Sequence, residues 1–441
     1  MSATNGELEL AEKRGILPVP VNARTIGFWT IFAIWVGFAI NGGQFMIGAM
    51  GIGAGVWAGI IAMFIAYLYL GLYIGGGAYV GAKHGIAGTV AMRSALGIHG
   101  SIIPSITMWI ATWGWFGVQL GIFAGAMDLM FTKVLGWPSD LRIQIVVWGI
   151  VMVYIAVSGI RGIAIFERLA VPALLIVMAM ALWVVFTSYD LSKVMAFQGD
   201  QKLTWGELFN IYPAAGAALC IAAMDSSRYV RSSKAAFWSV FVGGWPGFGW
   251  ICGVVGLMAA AAAGTWDVPQ IMTNLGLGAV GLLLLMLACL TTNSLNVYWG
   301  GIALGNMTGM DRVNGTIITG IVGIIITLVG IYSWGGFMTF MAFEGAFLVP
   351  SSAVFLIEYF VFRRGYINVD ILFDKKGEYY YTGGFHIPAI IAVIVGAIYG
   401  LAVPAGWMPS FINFFVTGAV YIIARYLYYR VAAPSMKPST A

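Results

Sequence analysis

Four groups of residues in this 441-residue chain have types and spacings that could do chemistry. Trp115 and Gln119, in GWFGVQ, stand one helical turn apart and so share a face. An aromatic plane with an amide beside it suits a flat, hydrogen-bonding heterocycle; the plainer role for Trp113 and Trp115 is packing or an interfacial belt. Thr291 and Thr292, in ACLTTNSLN, bring vicinal hydroxyls, which with free carbonyls of a broken helix would hold a hard monovalent cation without any net charge. Alone, such threonines usually bond back to their own helix. Asn41-Gly42-Gly43-Gln44 puts two amides around two glycines in an apolar stretch. Glu344, in FMTFMAFEGAFLVP, is a carboxylate well inside an otherwise apolar window. Burying it ionised and alone is expensive, so it is protonated, paired with a cation, bound to a substrate donor, or close enough to a span end to meet water.

The elements that carry these residues are membrane spans. Asp, Glu, Lys and Arg make up 9% of the chain, and apolar types 61%; an ordinary globular domain carries roughly 25% charged residues. Residues 25 to 82 contain no charged side chain, where one bilayer span needs about 20 residues. The charge-free windows predict an all-α polytopic membrane protein with 12 transmembrane helices. With the N-terminus inside, 18 of the 22 Lys and Arg fall on inner segments, and only Lys133, Arg142, Lys193 and Lys202 fall outside. That bias predicts a cell-membrane protein with both termini cytoplasmic. The net charge of +5 is therefore topology, not a preference for nucleic acid. No signal peptide is expected at the N-terminus.

The charged stretch from Arg363 to Phe385 separates ten spans from a final pair, which predicts two five-helix inverted repeats plus two peripheral helices. The expected organisation is a cytoplasmic N-terminal segment (1–24), a first repeat (25–186), an extracellular connection (187–206), a second repeat (207–362), a cytoplasmic loop (363–385), helices 11 and 12 (386–427) and a cytoplasmic tail (428–441). Asn41-Gly42-Gly43-Gln44 in the first span, and Pro213 with Gly216 in the sixth, occupy matched positions in the two halves. Discontinuous helices 1 and 6 are expected there, flanking a midplane site. Cys220, Cys252 and Cys289 are read as small apolar fillers, and three scattered histidines form no metal cluster. An integral-membrane enzyme would carry several His, Asp or Glu near the interface, and a channel a ring of charges or a filter loop; neither pattern is present in the sequence.

LPVPVNAR before the first span, GIHGSIIPSI leading to GWFGVQ, TTNSLNVYWGGIALGNMTGM, MDSSRYVR and EYFVFRRGY resemble the nucleobase:cation symporter-1 family, nearest its cytosine-permease branch, in family order along nearly the whole chain. The resemblance implies a LeuT-like fold and import of a nucleobase or related flat heterocycle with Na⁺ or H⁺, with no cofactor, no nucleic acid and no obligate protein partner. It implies that Thr291, Thr292 and the carbonyls of Ala288, Gly37 and Ile40 bind Na⁺, that Trp115 stacks on the substrate, and that Gln119, Asn41 and Asn293 hydrogen-bond it. Gly216 aligns where relatives place a second stacking aromatic, and Glu344 where they are usually apolar. Both departures widen the choice to a donor-rich, cationic or vitamin-like ligand in the same fold.

Overall fold

The computed structural model describes residues 17–158, 160–200 and 202–432, with side chains for all of these but 160–171, 291, 431 and 432. Lys13, Arg14 and Lys437, which contribute to the expected orientation, lie outside the described residues, as do the side chains of Arg161 and Arg168. The described residues are helical, with two isolated β-bridges and no strand. The principal helices are α1 (Phe28–Ala39), α2 (Gly42–Met50), α3 (Val56–His84), α4 (Ile102–Leu129), α5 (Leu141–Val157), α6 (Ile160–Ser188), α7 (Trp205–Ala214), α8 (Leu219–Ser227), α9 (Ser233–Gly243), α10 (Trp250–Ala263), α11 (Gly278–Thr308), α12 (Arg312–Val329), α13 (Trp334–Ile357), α14 (Ile387–Ala402) and α15 (Pro409–Leu427). Among the described residues eight helices are long and apolar enough to cross a bilayer, and the bent pair of α1 and α2 makes a ninth. The apolar helices α5 and α14 are shorter, at 17 and 16 residues, below the roughly 20 residues that a span perpendicular to the bilayer needs.

The bend between α1 and α2 is 52°, and one side chain holds it. Ile40 and Asn41 adopt extended backbone. The Asn41 amide donates to the Phe38 carbonyl at the end of α1 (2.6 Å) and accepts from the Gln44 N–H in the first turn of α2 (2.9 Å). It thereby satisfies one orphan group at each of two helix ends. Gly42 is required because a Cβ there would lie 2.5 Å from Cys289 Sγ on α11. The second interruption, Ala215 to Ala218 between α7 and α8, follows Pro213. The start of α7 is a capping box, in which the Glu207 N–H donates to Thr204 Oγ1 while Glu207 Oε2 accepts from the Thr204 N–H.

A third irregularity was not expected. Pro246 has no N–H to give to the Val242 carbonyl, so between α9 and α10 the ladder slips to a π turn, Trp245–Gly249, with the Gly249 N–H reaching back to Gly244 O at 2.9 Å. Around these breaks α4 packs along α11, α3 against α8 and α9, and α2 against α10.

At the end of the bundle expected to face inward, the connection from α13 to α14 folds over the segment between α3 and α4. Glu358 accepts from Arg363 Nε (3.0 Å), Arg425 Nε (2.9 Å) and the Tyr421 hydroxyl (2.6 Å). Tyr381 donates to Ser94 O and stacks on the His386 ring with centroids 4.3 Å apart. His386 Nδ1 faces the Ala95 carbonyl at 2.7 Å; a carbonyl only accepts, so this nitrogen carries the proton. Burial pushes His386 down to about 4. The unfolded chain therefore takes up a proton between pH 6.5 and 4 that the folded chain refuses, and stability falls as pH falls through that window. The melting temperature of the detergent-solubilised protein is expected to drop over this range, with His386 contributing at most about 3 kcal/mol. His386→Asn should flatten part of the slope, measured by thermal unfolding at a series of pH values.

Candidate functional site

A cavity with about 490 Å³ of free space, counting its mouth, opens where the two broken segments meet α4. Phe38, Asn41, Gln44 and Ile47 of the bent pair line it, together with Met108, Ala111, Thr112, Trp115 and Gln119 of α4. Its other walls are Ala215, Ala218, Leu219 and Ala222 around the second break, Trp245 of the π turn, and Asn296 and Trp299 of α11. None of these side chains is charged. The mix of apolar wall with a few convergent polar groups is what ligand pockets share.

Trp115 is held on several sides. Its Nε1–H donates to both carboxylate oxygens of Glu344, at 2.9 and 3.0 Å. Phe337 and Phe340, on the same face of α13 as Glu344, meet the indole edge-on at 5.9 and 5.6 Å. Gly43 lies beside the ring: a Cβ there would meet Trp115 Cζ3 at 3.4 Å, an ordinary contact, and press more closely on Asn41 Oδ1, at 3.1 Å. Trp115 is half-buried and borders the cavity. Nearby, Gln44 spends its amide N–H groups on the Tyr67 hydroxyl (2.6 Å) and on Gly249 O (3.1 Å), the latter a carbonyl within the π turn. That leaves Gln44 Oε1 unpartnered, and Gln119 Oε1 and Trp245 Nε1 are also buried without a partner. Buried polar atoms are nearly always satisfied, so two free acceptors and a free donor around one cavity describe a ligand with N–H donors and at least one acceptor.

The structure brings Asn41, Trp115 and Gln119 together on the cavity and places three other expected substrate residues elsewhere. Asn293 points into protein: its Nδ2 donates to Phe116 O (3.0 Å) and Met152 Sδ (3.2 Å), and its Oδ1 accepts from Asn296, which does reach the cavity. Three residues along a helix are nearly a full turn, and that offset decides which asparagine faces the ligand space. Gly216 faces α3, where a Cβ would strike Leu70 at 2.6 Å, while its neighbours Ala215 and Ala218 line the wall. Glu344 is fully buried behind Trp115 and does not border the cavity. Phe38, Trp245 and Trp299 supply the further aromatic surface, with Phe38 5.9 Å from Trp245 and 5.1 Å from Trp299. Gly-Gly-Trp-Pro-Gly at 243–247 was the signal for Trp245 that periodicity alone passes over.

For a cation, the helical ladder of α1 stops at Ile40, whose N–H still bonds to Val36 O, so the carbonyls of Gly37 and Ile40 lie at an unfinished helix end. Thr292 Oγ1 donates to Ala288 O at 3.3 Å. Cys289, between them, touches the bend at Gly42. The side chain of Thr291 lies outside the described residues. Among the described residues no three His, Cys, Asp or Glu side chains gather as a metal cluster, so the donors on offer here are neutral oxygens.

Apolar helices closed around an uncharged, aromatic cavity at a helix break define a multi-pass membrane permease. The family model described as permease for cytosine/purines, uracil, thiamine and allantoin matches residues 18–423, and the chain belongs to that family of transporters. It is 27% identical to the cytosine permease of Escherichia coli (strain K12) over 65% of this chain and 67% of that protein. It is 25% identical to the allantoin permease of Bacillus subtilis over 88% and 86%, and 25% identical to the hydantoin permease of Microbacterium maritypicum over 91% and 85%. Among solved structures, Mhp1, a nucleobase-cation-symport-1 family transporter, superposes in its closed conformation with bromovinylhydantoin bound at a TM-score of 0.79, with 21% identity and 97% coverage of both chains. Its inward-facing conformation gives 0.81, covering 96% of this chain and 97% of that one. A Na⁺-coupled sialic acid symporter gives 0.66 at 13% identity, covering 98% of each. These neighbours share the LeuT-type helical fold.

The Asn41 bridge is testable without a ligand. Asn41→Ala should destabilise the protein by roughly 2 kcal/mol, combining a lost N-cap with an unpaired Phe38 carbonyl. Asn41→Asp, which keeps the acceptor and loses the donor, should fall between the two in thermal unfolding.

Proposed function

We propose that this permease is a secondary active symporter importing a nucleobase or related flat nitrogen heterocycle, with Na⁺ or H⁺, by alternating access across the cell membrane. The observation that carries the reading is the fixed indole of Trp115 beside the unpartnered acceptors of Gln44 and Gln119. A ring that stacks on the indole and donates N–H groups to those oxygens satisfies all three. The fold is read as 12 spans in two inverted five-helix repeats, discontinuous at helices 1 and 6, with two peripheral helices and cytoplasmic termini; the bend at Asn41 and the interruption at Ala215 to Ala218 support it. Cytosine, allantoin and hydantoin, for which relatives are named, are neutral rings that match an uncharged wall. With Glu344 set behind the indole, the cavity wall favours such rings over a cationic ligand.

Cation binding between the end of α1 and α11 would stabilise the bend that forms one wall of the substrate cavity. Each ligand then raises the affinity for the other by the same factor. Gln119 and Gln44 fix the ring's in-plane orientation, and Asn296 closes the α11 side.

Uptake of labelled cytosine, allantoin and hydantoin into proteoliposomes tests the reading. Accumulation indifferent to both a Na⁺ gradient and a proton gradient would overturn it. Trp115→Ala should weaken binding of the transported ring by ten- to a hundredfold, roughly the 1–3 kcal/mol of one aromatic stack. Thr292→Ala should instead weaken the cation dependence of uptake while leaving ring selectivity in place; equal effects of the two substitutions on both quantities would count against the assigned roles.

A further inference from the structure

We propose that Glu344 is a proton-binding site linked to the substrate through Trp115, so that a proton is taken up with each substrate bound. The inference rests on the stacking role of Trp115 given above and adds a site outside the cavity wall.

The helix from Trp334 to Phe362 carries two buried acids with opposite provision. Glu358 has two guanidinium groups and a phenol, enough to hold an ionised carboxylate permanently. Glu344 is equally buried, yet both its oxygens share one neutral donor, the indole N–H of Trp115. A carboxylate has about four acceptor sites, and ionising one in an apolar interior against a single neutral N–H costs several kcal/mol. Among the described residues no Lys, Arg or His lies within salt-bridge distance of it.

The groups on the surrounding elements offer no substitute. On α3, Tyr73 is in electrostatic reach, and its hydroxyl is given to Ala217 O. On α4, Asp128 lies more than three turns beyond Trp115, on a second cavity that Asp267 also lines. On α7, Glu207 is occupied by its capping box. On α15, Arg425 is engaged with Glu358, which itself lies about 20 Å further along the same helix; α14 contains no charged residue.

The carboxyl therefore carries a proton in this arrangement. Protonation forms one O–H bond on Glu344, drawn from water when the cavity is open, and leaves the other oxygen to accept from the indole. Release to water on the opposite side breaks the same bond, so each cycle moves one positive charge with the solute. Substrate on the exposed face of Trp115 excludes water from the platform and raises the cost of an ionised neighbour, which favours the protonated form. By linkage the proton favours the substrate equally.

Two measurements on the full-length protein in detergent test this. The first needs no ligand: an infrared carboxyl C=O band present in wild type, absent in Glu344→Gln and titrating with pH is expected, and a wild-type spectrum without it overturns the proposal. The second follows the dissociation constants of cytosine, allantoin and hydantoin against pH, with calorimetry in two buffers of different ionisation enthalpy. For the compound that binds, wild type should take up close to one proton per site at pH values above the titration of Glu344 in the ligand-free protein, and its affinity should fall by up to about tenfold per pH unit in that range. Glu344→Gln, whose amide oxygen can still accept from the indole, should lose that pH dependence, whereas Glu344→Leu should also loosen binding. Pure positioning predicts wild-type binding with no proton uptake, which overturns the proposal on unsubstituted protein. If Trp115→Ala binds as well as wild type, the stacking role fails instead. If none of the three compounds binds, the proposed substrate class fails, and the carboxyl band still decides whether Glu344 takes a proton.

Discussion

A helix that stops inside a bilayer leaves carbonyls and amides that hydrocarbon cannot satisfy, and the whole site follows from how Asn41 meets that constraint. Its side chain closes the end of α1 and opens α2 with one amide, donating to Phe38 O and accepting from Gln44 N. That amide satisfies one orphan group at each end and leaves the carbonyls of Gly37 and Ile40 at the unfinished end of α1. Gln44 then comes to face both Tyr67 and the π-turn carbonyl of Gly249. Phe38 is turned toward Trp245 and Trp299. The bend places Gly42 against Cys289 on α11, next to Ala288, and Gly43 against Trp115.

The second organising feature is the immobilisation of one indole. Trp115 is gripped at its nitrogen by Glu344 and at its edge by Phe337 and Phe340, all presented by one face of α13. A rigid aromatic plane loses little freedom when a ligand stacks on it, and so retains more of the stacking energy as affinity. α13 thus sets the position of one cavity wall although no residue of it borders the cavity.

The sequence was most readable where chemistry is local. Two amides around two glycines marked the bend, and the four-residue spacing of Trp115 and Gln119 put both on the cavity wall. Charge-free windows located the long helices, but α5 and α14 came out shorter than a straight span because windows count composition, not hydrogen-bonded turns. What stayed hidden was long-range or depended on rotation about a helix. The partner of Glu344 lies 229 residues away in sequence. Asn293 and Asn296 are indistinguishable by type, and only the orientation of α11 sends one to Phe116 and the other to the ligand space. Gly216 is set by contact with Leu70, which no local pattern announces.

The π turn at Trp245–Gly249 sets two parts of the site at once. A π turn holds one residue more than the α-helical turn it replaces, and everything on one side of it is rotated by about 100° relative to everything on the other. α9 and α10 can therefore present independent faces, one toward α3 and the other toward α2. The same turn sends Trp245 to the cavity and the Gly249 carbonyl to Gln44. The polar anchor and the aromatic wall on this side of the site thus hang on one local backbone geometry, and a change that straightened it would remove both.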